Sequence, residues 1–326
     1  MQPLYATVSI MQRALVTGGA GFIGSHLVDR LIAKYDVFII DNLSTGNRSN
    51  IPKNVTVHVE DIRNQNKITS IVKKIHPDVV LHIAGQASNI KSFNDPHFDI
   101  DVNFKGTINI VLASLEAKVR RFLYASSMTV YGIPEKIPVS EKHACRPVSY
   151  YGISKYAAER FVMATATRSD LTAPFLATSL RMFNVYGPRQ DLDNPYQGPV
   201  AIFTGHVLRN EPITIYGDGK QTRDFIYIDD VVSAWLATLD NEKTYQNSYN
   251  VGSGERITIE DVAHAVVKVA GKDPNKYPIV HKPTLPGEQR HMEAHIQKIS
   301  RAIGFRVATS FADGLIKTMH WAKSTL

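Results

Sequence analysis

The chain has 326 residues, of which 44% are hydrophobic and 21% are charged, as is ordinary for a soluble globular protein. This length exceeds the usual size of one domain, so we expect a large domain and a smaller one. The formal net charge of +7 permits an anionic partner. Because Lys and Arg are scattered and form no long basic run, the sequence favours a phosphorylated metabolite over nucleic acid.

The chain carries no signal for secretion or membrane insertion. Its single cysteine, Cys145, excludes an intramolecular disulfide and suits a reducing compartment. No apolar run is long enough to span a membrane, and residues 1–12 lack the features of a signal peptide. We therefore expect a cytoplasmic protein without a membrane partner. Met11 directly precedes the first predicted strand, so residues 1–10 are interpreted as an extension with no structural role.

A glycine-rich turn follows the first predicted strand, residues 13–17. Gly18, Gly21 and Gly24 lie between this strand and an amphipathic helix predicted over residues 25–33. In this context the spacing indicates dinucleotide binding. Gly18 permits a tight turn, Gly21 lets the backbone approach a pyrophosphate, and Gly24 allows close helix packing. The free N–H groups at the start of the helix would hold the phosphates.

An acidic residue ends the second predicted strand. This strand covers residues 37–40 and is followed by Asp41, about twenty residues after the glycines. A carboxylate at this position would accept hydrogen bonds from the adenosine ribose and repel a 2′-phosphate, which favours NAD over NADP. The alternative is that Asp41 only caps the loop over residues 42–46.

The alternation of strands and helices continues along the chain. Further strands are predicted over residues 55–59, 79–83, 122–125 and 177–181, and helices over residues 67–75 and 102–117. This alternation predicts an α/β fold with a doubly wound parallel sheet, the Rossmann fold. Ligands bind such sheets beyond the carboxyl ends of the strands. Polar and small residues follow these ends, namely Asp61, Ala84, Gly85, Gln86, Ser127 and Asn184.

A tyrosine and a lysine four residues apart, Tyr151 and Lys155, precede a helix-forming run and would share one helix face. Free tyrosine titrates near pH ~10, so a tyrosine base at neutral pH needs a downward pKa shift of about 3 units. A nearby cation supplies ~1–3 units, and a positively charged nicotinamide could supply the rest. The spacing alone is weak evidence, because Tyr216 and Lys220 share it around a glycine turn.

Several motifs together resemble the extended short-chain dehydrogenase/reductase family. They are residues 17–24, residues 41–46, Ser127 ahead of residues 130–132, and residues 151–155. Residues 181–189 and 215–229 narrow the resemblance to the NAD-dependent nucleotide-sugar epimerase/dehydratase branch. Within this branch the chain is most similar to UDP-glucose 4-epimerases and the related N-acetylhexosamine epimerases. The resemblance covers nearly the whole chain.

The resemblance implies a transient oxidation of a UDP-hexose at carbon 4 by tightly bound NAD. Tyr151 would remove the proton of the 4-hydroxyl, Lys155 would lower the pKa of Tyr151 and bind the nicotinamide ribose, and Ser127 would relay the proton. The 4-keto sugar would turn in the pocket and take the hydride back on its other face. The cofactor contacts implied are those of Gly18, Gly21, Phe22, Ile23, Gly24, Asp41, Asn42, Asp61, Ile62, Ala84, Gly85, Gln86, Tyr151 and Lys155.

The second half of the chain would bind the rest of the substrate. The substrate residues implied, besides Ser127, are Asn184, Tyr216, Arg223, Glu288, Arg290 and Met292. Asn184 and the two arginines would hold the diphosphate, for which a bidentate guanidinium is well suited. Tyr216 would lie beside the uracil ring, and Glu288 would hold the nucleotide ribose. Met292 falls where residue size helps to decide whether an N-acetyl group fits. The alternative for the charged residues is surface charge on loops.

The residues after Ser127 differ from those found at the same positions in two other kinds of enzyme of the branch. Dehydratases resembling this chain carry an Asp-Glu pair there and sugar-acid decarboxylases carry a Glu, whereas this chain has Met128 and Thr129. Without a carboxylate, elimination of water lacks its general acid and base, which favours plain epimerisation. The alternatives are a dehydratase, dehydrogenase, reductase or uronic acid epimerase of the branch, or a non-catalytic dinucleotide sensor.

Histidines near the carboxyl end are not expected to bind a metal. His281, His291 and His295 lack a carboxylate or cysteine that would complete a ligand set. His295 replaces an aspartate expected from the resemblance, and the sequence offers no account of it.

The predicted organisation has two interleaved parts. An NAD-binding domain would cover residues 11–184 and receive a returning segment at about residues 225–251, and a smaller nucleotide-sugar-binding lobe would cover residues 185–326. In the family, the helix that carries Tyr151 helps to form a dimer through a four-helix bundle, so a homodimer is implied. Its apolar residues here are Ala157, Ala158, Phe161, Val162 and Ala164.

Overall fold

The computed structural model describes residues 11–284 and 289–325, so the predicted extension over residues 1–10 lies outside the described residues. The strands are β1 (Arg13–Thr17), β2 (Asp36–Asp41), β3 (Thr56–Val59), β4 (Val79–His82), β5 (Arg121–Ser127), β6 (Leu176–Met182), β7 (Asn184–Tyr186), β8 (Ile213–Tyr216), β9 (Thr222–Arg223), β10 (Phe225–Tyr227), β11 (Asn247–Val251), β12 (Ile257–Thr258) and β13 (Ile279–Lys282). The α-helices are α1 (Phe22–Leu31), α2 (Gln65–Ile75), α3 (Asn89–Asn94), α4 (Pro96–Ile100), α5 (Gly106–Glu116), α6 (Tyr150–Ala166), α7 (Pro199–Leu208), α8 (Ile228–Leu239), α9 (Ile259–Val269), α10 (Gln297–Ile303) and α11 (Phe311–Thr325). Short 3₁₀ segments cover Arg48–Asn50, Met128–Tyr131 and Glu242–Thr244, and a π-helical turn covers Asp101–Lys105.

One parallel sheet organises the fold. Its strand order is β3-β2-β1-β4-β5-β6-β11, and every neighbouring pair of strands runs parallel. β2 and β3 are added in turn on one side of β1. The chain then crosses to the other side of β1, where β4, β5 and β6 are added in the opposite direction. This is the order of a doubly wound Rossmann sheet, so the predicted fold class is confirmed. The carboxyl ends of β1 and β4 are therefore neighbours at the point of reversal.

Successive side chains on each sheet strand enter different cores. On β1, Ala14 and Val16 pack into one cluster with Leu27 of α1 and Trp235 of α8, whereas Leu15 packs on the opposite face. The core on that opposite face includes buried side chains of α2, α5 and α6. Since side chains alternate between the faces of a strand, a strand covered by helices on both faces is apolar throughout. This double coverage explains the continuous hydrophobic runs in the sequence.

The core that contains α1 and α8 extends into the carboxyl-terminal part of the chain. It joins the sheet to buried side chains on α7, α9 and α11, among them Phe203, Val266 and Leu315. Small strand pairs accompany these helices: β7 with β10 and β8 with β13 are parallel, and β9 with β12 is antiparallel. The segment predicted to return to the first domain, at about residues 225–251, contains β11. This strand belongs to the main sheet. The division of the chain into two lobes stays a prediction.

α1 and the helix predicted over residues 102–117 differ most from their predicted bounds. α1 begins at Phe22 and not at residue 25, because Gly21 is its N-cap and the glycine turn runs directly into the helix. The helix predicted over residues 102–117 is divided into the π-helical turn and α5. At Gly106, where α5 begins, a Cβ would lie 2.6 Å from the Ile62 side chain. Glycine therefore lets α5 approach the loop after β3, and π turns of this kind often occur at functional sites.

The apolar residues of α6 that the sequence analysis singles out differ in burial. On α6, Ala158 and Val162 are buried in the chain's own core, whereas Ala157, Phe161 and Ala164 are at least partly exposed. The homodimer implied by the resemblance stays a prediction. Within residues 11–284 and 289–325, no helix combines the length and the apolar character needed to cross a bilayer.

A buried ion pair joins α6 to β6. The Arg181 guanidinium donates to both carboxylate oxygens of Glu159, with 2.5 Å between Nη2 and Oε1, and the two side chains are only 8% and 2% exposed. The same carboxylate accepts hydrogen bonds from Ser126, Ser179 and Ser248. Burial acts to raise the pKa of Glu159, but the hydrogen bonds and charge of Arg181, together with the hydrogen bonds from Ser126 and Ser179, hold that pKa below its ordinary value. Each charge therefore depends on its partner.

Replacing Arg181 by leucine should destabilise the protein by about 3–5 kcal/mol, because Glu159 is left as a buried charge without its partner. The matched control is Arg168→Leu, which removes the cation of the exposed pair between Arg168 and Asp170 and should leave the free energy of unfolding nearly unchanged. Denaturant unfolding followed by circular dichroism measures both variants. If Arg181→Leu and Arg168→Leu lowered the free energy of unfolding by similar amounts, the buried ion pair would be no more important for stability than the exposed one.

Candidate active site

Two glycines at the carboxyl end of β1 allow close backbone contacts. Gly18 has a φ of +71°, and a Cβ there would lie 2.8 Å from the Ala84 nitrogen in the turn after β4. A Cβ at Gly24 would collide with the Gly18 oxygen. Any side chain at either position would therefore displace α1 or the turn. These are the turn and packing roles that the sequence predicts for the two glycines.

The amino-terminal end of α1 offers N–H groups that no side chain caps. Gly21 is the N-cap, and the first turn carries no acidic residue. A Cβ at Gly21 would meet only the Gly18 oxygen, at 3.3 Å, so the space before the turn is open. Phe22 and Ile23 begin the helix at this point. Exposed N–H groups and the helix dipole together favour a phosphate group at such an end.

Asp41 ends β2 beside this turn. Its Oδ2 accepts a hydrogen bond from the Ala20 nitrogen at 2.9 Å, and its Oδ1 accepts one from the Leu43 nitrogen at 2.8 Å. The carboxylate thus caps the following loop, as the alternative interpretation proposed. Each oxygen also keeps a lone pair for a ligand hydroxyl, so this contact does not exclude ribose binding.

The loops after β2 and β3 hold each other in place. Asn42 Nδ2 donates to Asp61 Oδ2 at 2.9 Å, and Arg63 donates to both carboxylate oxygens of Asp61. The hydrogen bonds from Arg63 lower the pKa of Asp61 to about 2. Ile62 is buried, in contact with the start of α5. Asn42, Asp61 and Ile62 therefore form a fixed wall at the sheet edge.

Gln86, after β4, has structural partners that the sequence did not indicate. Its side chain donates to the Ser88 oxygen at 2.8 Å and to Asp99 Oδ1 at 2.7 Å. Its backbone N–H donates to Asn103 Oδ1 at 2.9 Å. Because both side-chain donor hydrogens are engaged in this way, a hydrogen bond donated by the Gln86 side chain to a cofactor would require that side chain to move.

Ser127, Tyr151 and Lys155 meet at the carboxyl end of β5. Ser127 is the last residue of β5, and the other two lie one turn apart on α6. The Ser127 hydroxyl is close enough to the Tyr151 hydroxyl to act on the pKa of the phenol. Lys155 Nζ lies 4.5 Å from the centre of the Tyr124 ring and would lie 3.7 Å from a Cβ at Gly85. The ammonium group is thus close to the turn after β4, on the same sheet edge as the glycines.

Burial is the largest influence on the pKa values of Tyr151 and Lys155. Burial raises the pKa of Tyr151 to about 12, although the neighbouring Ser127 side chain acts to lower it. It also lowers the pKa of Lys155 to about 8, against the attraction of Asp99 and Glu159. Within the protein alone, burial therefore shifts the pKa of Tyr151 away from the value that a base at neutral pH needs. More positive charge is needed beside Tyr151 before it can act as a base at neutral pH.

Sequence reasoning missed a buried polar network near Lys155. Asn103 Nδ2 donates to Asp99 Oδ1 at 3.1 Å and to Ser154 Oγ at 3.2 Å, and Ser154 Oγ donates to Asp99 Oδ2. Asp99 and Asn103 are fully buried. Burial raises the pKa of Asp99, although its hydrogen bonds and the charge of Lys155 oppose the shift. No local pattern could reveal this network, because Asp99 and Ser154 are 55 residues apart.

Asn184 and Met292 lie close to the segment after Ser127. Asn184 Nδ2 lies 3.6 Å from Met128 Sδ and donates to the Asp224 oxygen at 3.2 Å. Met292 is fully buried, in one apolar cluster with Met128 and Phe183. The structure therefore brings both predicted substrate positions to the carboxyl end of β5.

Arg223 and Arg290 lie on adjacent segments. The Thr222 nitrogen donates to the Arg290 oxygen at 3.0 Å, and Arg223 Nη1 donates to the same oxygen at 3.4 Å. The Arg290 side chain forms a bidentate pair with Asp218, with hydrogen bonds of 2.9 and 2.7 Å. The hydrogen bonds from Arg290 lower the pKa of Asp218 to about 2. A phosphate at Arg290 would therefore share or displace this carboxylate.

Tyr216 ends β8 and is 39% exposed, while its carbonyl accepts a hydrogen bond from Gln221. Gly217 and Gly219 follow with φ values of +86° and +74°. The predicted turn is confirmed, so the tyrosine–lysine spacing here is not a helical pair. Glu288 lies outside the described residues.

The three histidines noted in the sequence have individual hydrogen-bond partners. His281 Nδ1 contacts the Gly217 oxygen at 2.9 Å, His291 Nδ1 contacts Thr222 Oγ1 at 3.1 Å, and the His295 nitrogen donates to the Val139 oxygen at 2.9 Å. His295 thus has a backbone role, which no sequence pattern indicated. In the part of the chain that the structure describes, no group of His, Cys, Asp or Glu is arranged to hold a metal ion.

Comparison with known proteins relates the chain to one enzyme family. A sequence profile described as the NAD dependent epimerase/dehydratase family matches residues 14–252. The chain is 36% identical over 313 residues to a putative UDP-glucose 4-epimerase of Methanocaldococcus jannaschii, covering 95% of this chain and 98% of that protein. UDP-sugar acid decarboxylases also match over 93–95% of this chain, with 31–32% identity.

Solved structures show the same relationship. A UDP-glucose 4-epimerase from Thermotoga maritima, crystallised with UDP-glucose, gives a TM-score of 0.90 at 35% identity and covers 96% of this chain and 99% of its own. A UDP-glucose 4-epimerase from Thermus thermophilus in complex with NAD gives a TM-score of 0.89 at 35% identity, covering 97% and 100%.

The chain is therefore an α/β enzyme with a Rossmann sheet, and it belongs to the NAD-dependent epimerase/dehydratase family. Its residues fit the cofactor of that family. The glycine turn leaves an open, uncapped helix end for a pyrophosphate. Asp41 retains acceptor capacity beside that turn for ribose hydroxyls.

Replacing Lys155 by methionine should stabilise the nucleotide-free protein at pH 7, because the substitution removes a buried cation. The wild-type pKa is lowered to about 8 from 10.5, so between these values the unfolded state binds more protons than the folded state. Wild-type stability therefore rises with pH across this window, and the advantage of the variant should shrink. Thermal unfolding at pH 7 and pH 10 measures the difference.

The control for this experiment is Lys276→Met, since the Lys276 side chain is 86% exposed. This variant should show no comparable change of relative stability between the two pH values. An advantage of Lys155→Met that stays constant from pH 7 to pH 10 would contradict the lowered pKa of Lys155.

Proposed function

We propose that this enzyme is a UDP-hexose 4-epimerase that uses tightly bound NAD. The observation that carries the proposal is the meeting of Ser127, Tyr151 and Lys155 on the same sheet edge as the glycine turn. Similarity to UDP-glucose 4-epimerases over nearly the whole chain supports the same class of reaction. Met128 and Thr129 also lack the carboxylate that the resemblance assigns to dehydratases and decarboxylases at these positions.

Each of the three residues has a role in this reaction. NAD, when bound, supplies the hydride acceptor for carbon 4 of the sugar and the donor for the return step. Tyr151 takes the proton of the 4-hydroxyl and later gives it back to the epimeric oxygen. Lys155 holds the nicotinamide ribose and adds positive charge near Tyr151, while Ser127 hydrogen-bonds at the reacting oxygen. The cycle leaves no net oxidation.

The electrostatics of the site restrict proton removal to the loaded enzyme. Burial holds the pKa of Tyr151 near 12, so the residue is neutral at pH 7 in the protein alone. Lys155, with a pKa of about 8, is still mainly protonated at this pH. Added positive charge in the cleft lowers the Tyr151 pKa toward the working range. Tyr151 therefore becomes a base only when the site is ready for hydride transfer.

The substrate would be anchored by its nucleotide diphosphate while the sugar turns. We assign the diphosphate to Asn184, Arg223 and Arg290, the uracil to Tyr216 and the nucleotide ribose to Glu288. Support for this assignment is the position of Arg223 and Arg290 on adjacent segments, and of Asn184 beside Met128.

The sugar that this enzyme prefers is proposed to be glucose or galactose. Met292 lies at the position that the family resemblance links to the N-acetyl group. It is fully buried and packs in one cluster with Met128 and Phe183, which leaves little room for an added acetamide. Since methionine side chains are flexible, N-acetylhexosamines would be slower substrates and not excluded ones.

Purified protein incubated with UDP-galactose and no added cofactor should form UDP-glucose, as followed by proton NMR. Tyr151→Phe should lower the rate by at least about 10²-fold, because the variant has no group to take the 4-hydroxyl proton. Tyr150→Phe is the matched control, since Tyr150 is the adjacent residue and is 45% exposed. It should retain wild-type activity.

Other products would point to the alternatives within the family. A 4-keto-6-deoxy sugar would indicate a dehydratase, and loss of carbon dioxide from UDP-glucuronic acid would indicate a decarboxylase. Accumulated NADH would indicate a dehydrogenase. Any of these results, without formation of the 4-epimer, would overturn the proposed reaction.

Met292→Ala should raise kcat/KM for UDP-N-acetylgalactosamine relative to UDP-galactose by about tenfold, because removing several side-chain atoms makes space worth about 1–3 kcal/mol. The control is Met319→Ala on α11, a buried methionine in a different core cluster. It tests for general loosening of the protein and should leave the ratio unchanged. An equal ratio in all three proteins would remove Met292 from the sugar site.

A further inference from the structure

Asp99 joins two parts of the candidate site through one buried carboxyl group. Its Oδ1 accepts a hydrogen bond from Gln86 Nε2 at 2.7 Å, in the turn after β4. Its Oδ2 is hydrogen-bonded to Ser154 Oγ, on α6 directly before Lys155. The Asp99 side chain is fully buried. Asp99 is therefore held between the turn after β4 and the helix that carries Lys155.

Asn103 fixes this arrangement from the π-helical turn. Its Oδ1 accepts from the Gln86 backbone nitrogen at 2.9 Å, and its Nδ2 donates to the Gln86 oxygen at 3.0 Å. Because a backbone N–H only donates and a carbonyl only accepts, these bonds fix the orientation of the Asn103 amide. The backbone of Ser88 fixes the Gln86 amide in the same way.

Two N–H donors therefore face one oxygen of Asp99. Besides Gln86 Nε2, Asn103 Nδ2 donates to Asp99 Oδ1, at 3.1 Å. Hydrogen bonds of this kind favour the ionised form of a carboxyl group. The network thus provides a site for a buried negative charge.

Lys155 lies beside the same network. Its Nζ would lie 3.7 Å from a Cβ at Gly85, and Asn103 Oδ1 would lie 2.9 Å from that Cβ. The ammonium group and the amide that binds Asp99 therefore meet at the turn after β4. Lys155 is only 5% exposed, so its charge is also removed from water.

Neither buried charge has a contact ion pair. In the ranges 11–284 and 289–325, Lys155 and Asp99 form no ion pair at contact distance. Glu159, the other carboxylate that acts on Lys155, is already paired with Arg181. Charges inside a protein interact over longer distances than in water. Asp99 is thus the carboxylate that can balance the charge of Lys155.

Three other titratable groups around Lys155 are neutral at pH 7. Burial lowers the pKa of His82 to about 3 and raises the pKa of Tyr124 well above its ordinary value. Burial also raises the pKa of Tyr151 to about 12. None of these three groups supplies a negative charge for Lys155 at this pH.

We propose that Asp99 is a positioning residue that acts through Lys155, because it supplies the buried negative charge that keeps the Lys155 ammonium group protonated. Gln86, Asn103 and Ser154 hold this carboxylate in place. The inference rests on the proposed function and deepens it, since Lys155 has to be charged to stabilise the ionised form of Tyr151. Asp99 itself exchanges no proton with the substrate.

Asp99→Asn removes the charge and keeps the shape of the side chain. The amide oxygen of the variant can accept from Gln86 and Asn103, and its NH₂ group can donate to Ser154 Oγ. The Ser154 hydroxyl then donates to the Tyr151 oxygen, which lies 3.0 Å away. The variant should therefore fold, and Asp99→Ser is a second variant without the charge.

Titration of Lys155 measures the effect directly. Protein labelled with ¹³C at the lysine ε carbon and saturated with NAD should show one resonance that is absent in Lys155→Met. Burial lowers the pKa of Lys155 and Asp99 opposes that shift, so the midpoint should fall by about one pH unit in Asp99→Asn.

The matched control for the titration is Asp101→Asn. This substitution removes a carboxylate from the neighbouring π-helical turn, where Asp101 is 47% exposed and pairs with Lys105 at 3.6 Å. It should leave the Lys155 midpoint in place. An unchanged midpoint in Asp99→Asn, or an equal shift in the two variants, would overturn the proposal.

The pH dependence of kcat separates this role from a purely structural one. The alkaline limb should move downward by about one pH unit in Asp99→Asn, because Lys155 loses its proton at a lower pH. The acid limb should not move upward, since burial is the main cause of the raised Tyr151 pKa and Asp99 adds to it. A loss of kcat by the same factor at every pH would contradict the proposal.

A double-mutant cycle tests the coupling without turnover. In the nucleotide-free protein at pH 7, Lys155→Met should raise the melting temperature of Asp99→Asn more than that of the wild type, because the buried ammonium group there has no counter-charge. Equal changes in the two backgrounds would show that Asp99 does not act on Lys155. If the wild-type enzyme epimerised none of the sugars tested, the proposed function would fail, whereas the titration and this cycle would still decide the role of Asp99.

Discussion

The carboxyl edge of the parallel sheet is the constraint on which the rest of the structure depends. In a parallel sheet every strand ends at the same edge, and the reversal of strand order between β1 and β4 opens a crevice there. The turns that follow β1 and β4 lie close together at this crevice, as the approach of Gly18 to Ala84 shows. Residues distant in sequence, such as Asp41 and Ser127, lie at the same edge of the sheet because each ends a strand.

Burial at this edge of the sheet controls the protonation of Tyr151 and Lys155. Lys155 is buried and Tyr151 is partly buried, and desolvation shifts the pKa of each residue toward its neutral form. Asp99 and Glu159 offset part of this effect for Lys155. The protein therefore carries an ammonium group and a neutral phenol on one helix, and Ser154 of that helix belongs to the buried network with Asp99 and Asn103. Charge brought into the cleft changes this balance more strongly than it would in water.

Asp224 attaches several carboxyl-terminal segments to this edge. Asn184 donates to the Asp224 oxygen through both its backbone and its side chain. The Asp224 carboxylate accepts from the backbone of Ser253, Gly254 and Ala294. Burial raises the pKa of Asp224, which these hydrogen bonds oppose. One acidic side chain therefore joins three separate segments near the predicted diphosphate and sugar positions.

The sequence by itself determined the sheet, its helices and the family, because strand periodicity, the glycine spacing and the pair Tyr151 and Lys155 are local patterns. These patterns also predicted which residues lie at the sheet edge. Only the tertiary structure decided how those residues interact. Asp99 lies 55 residues from its partner Ser154, and Arg290 lies 72 residues from Asp218, so no local pattern links them. The pKa of Tyr151 likewise depends on how much water the fold excludes, and burial is a property of the folded chain alone.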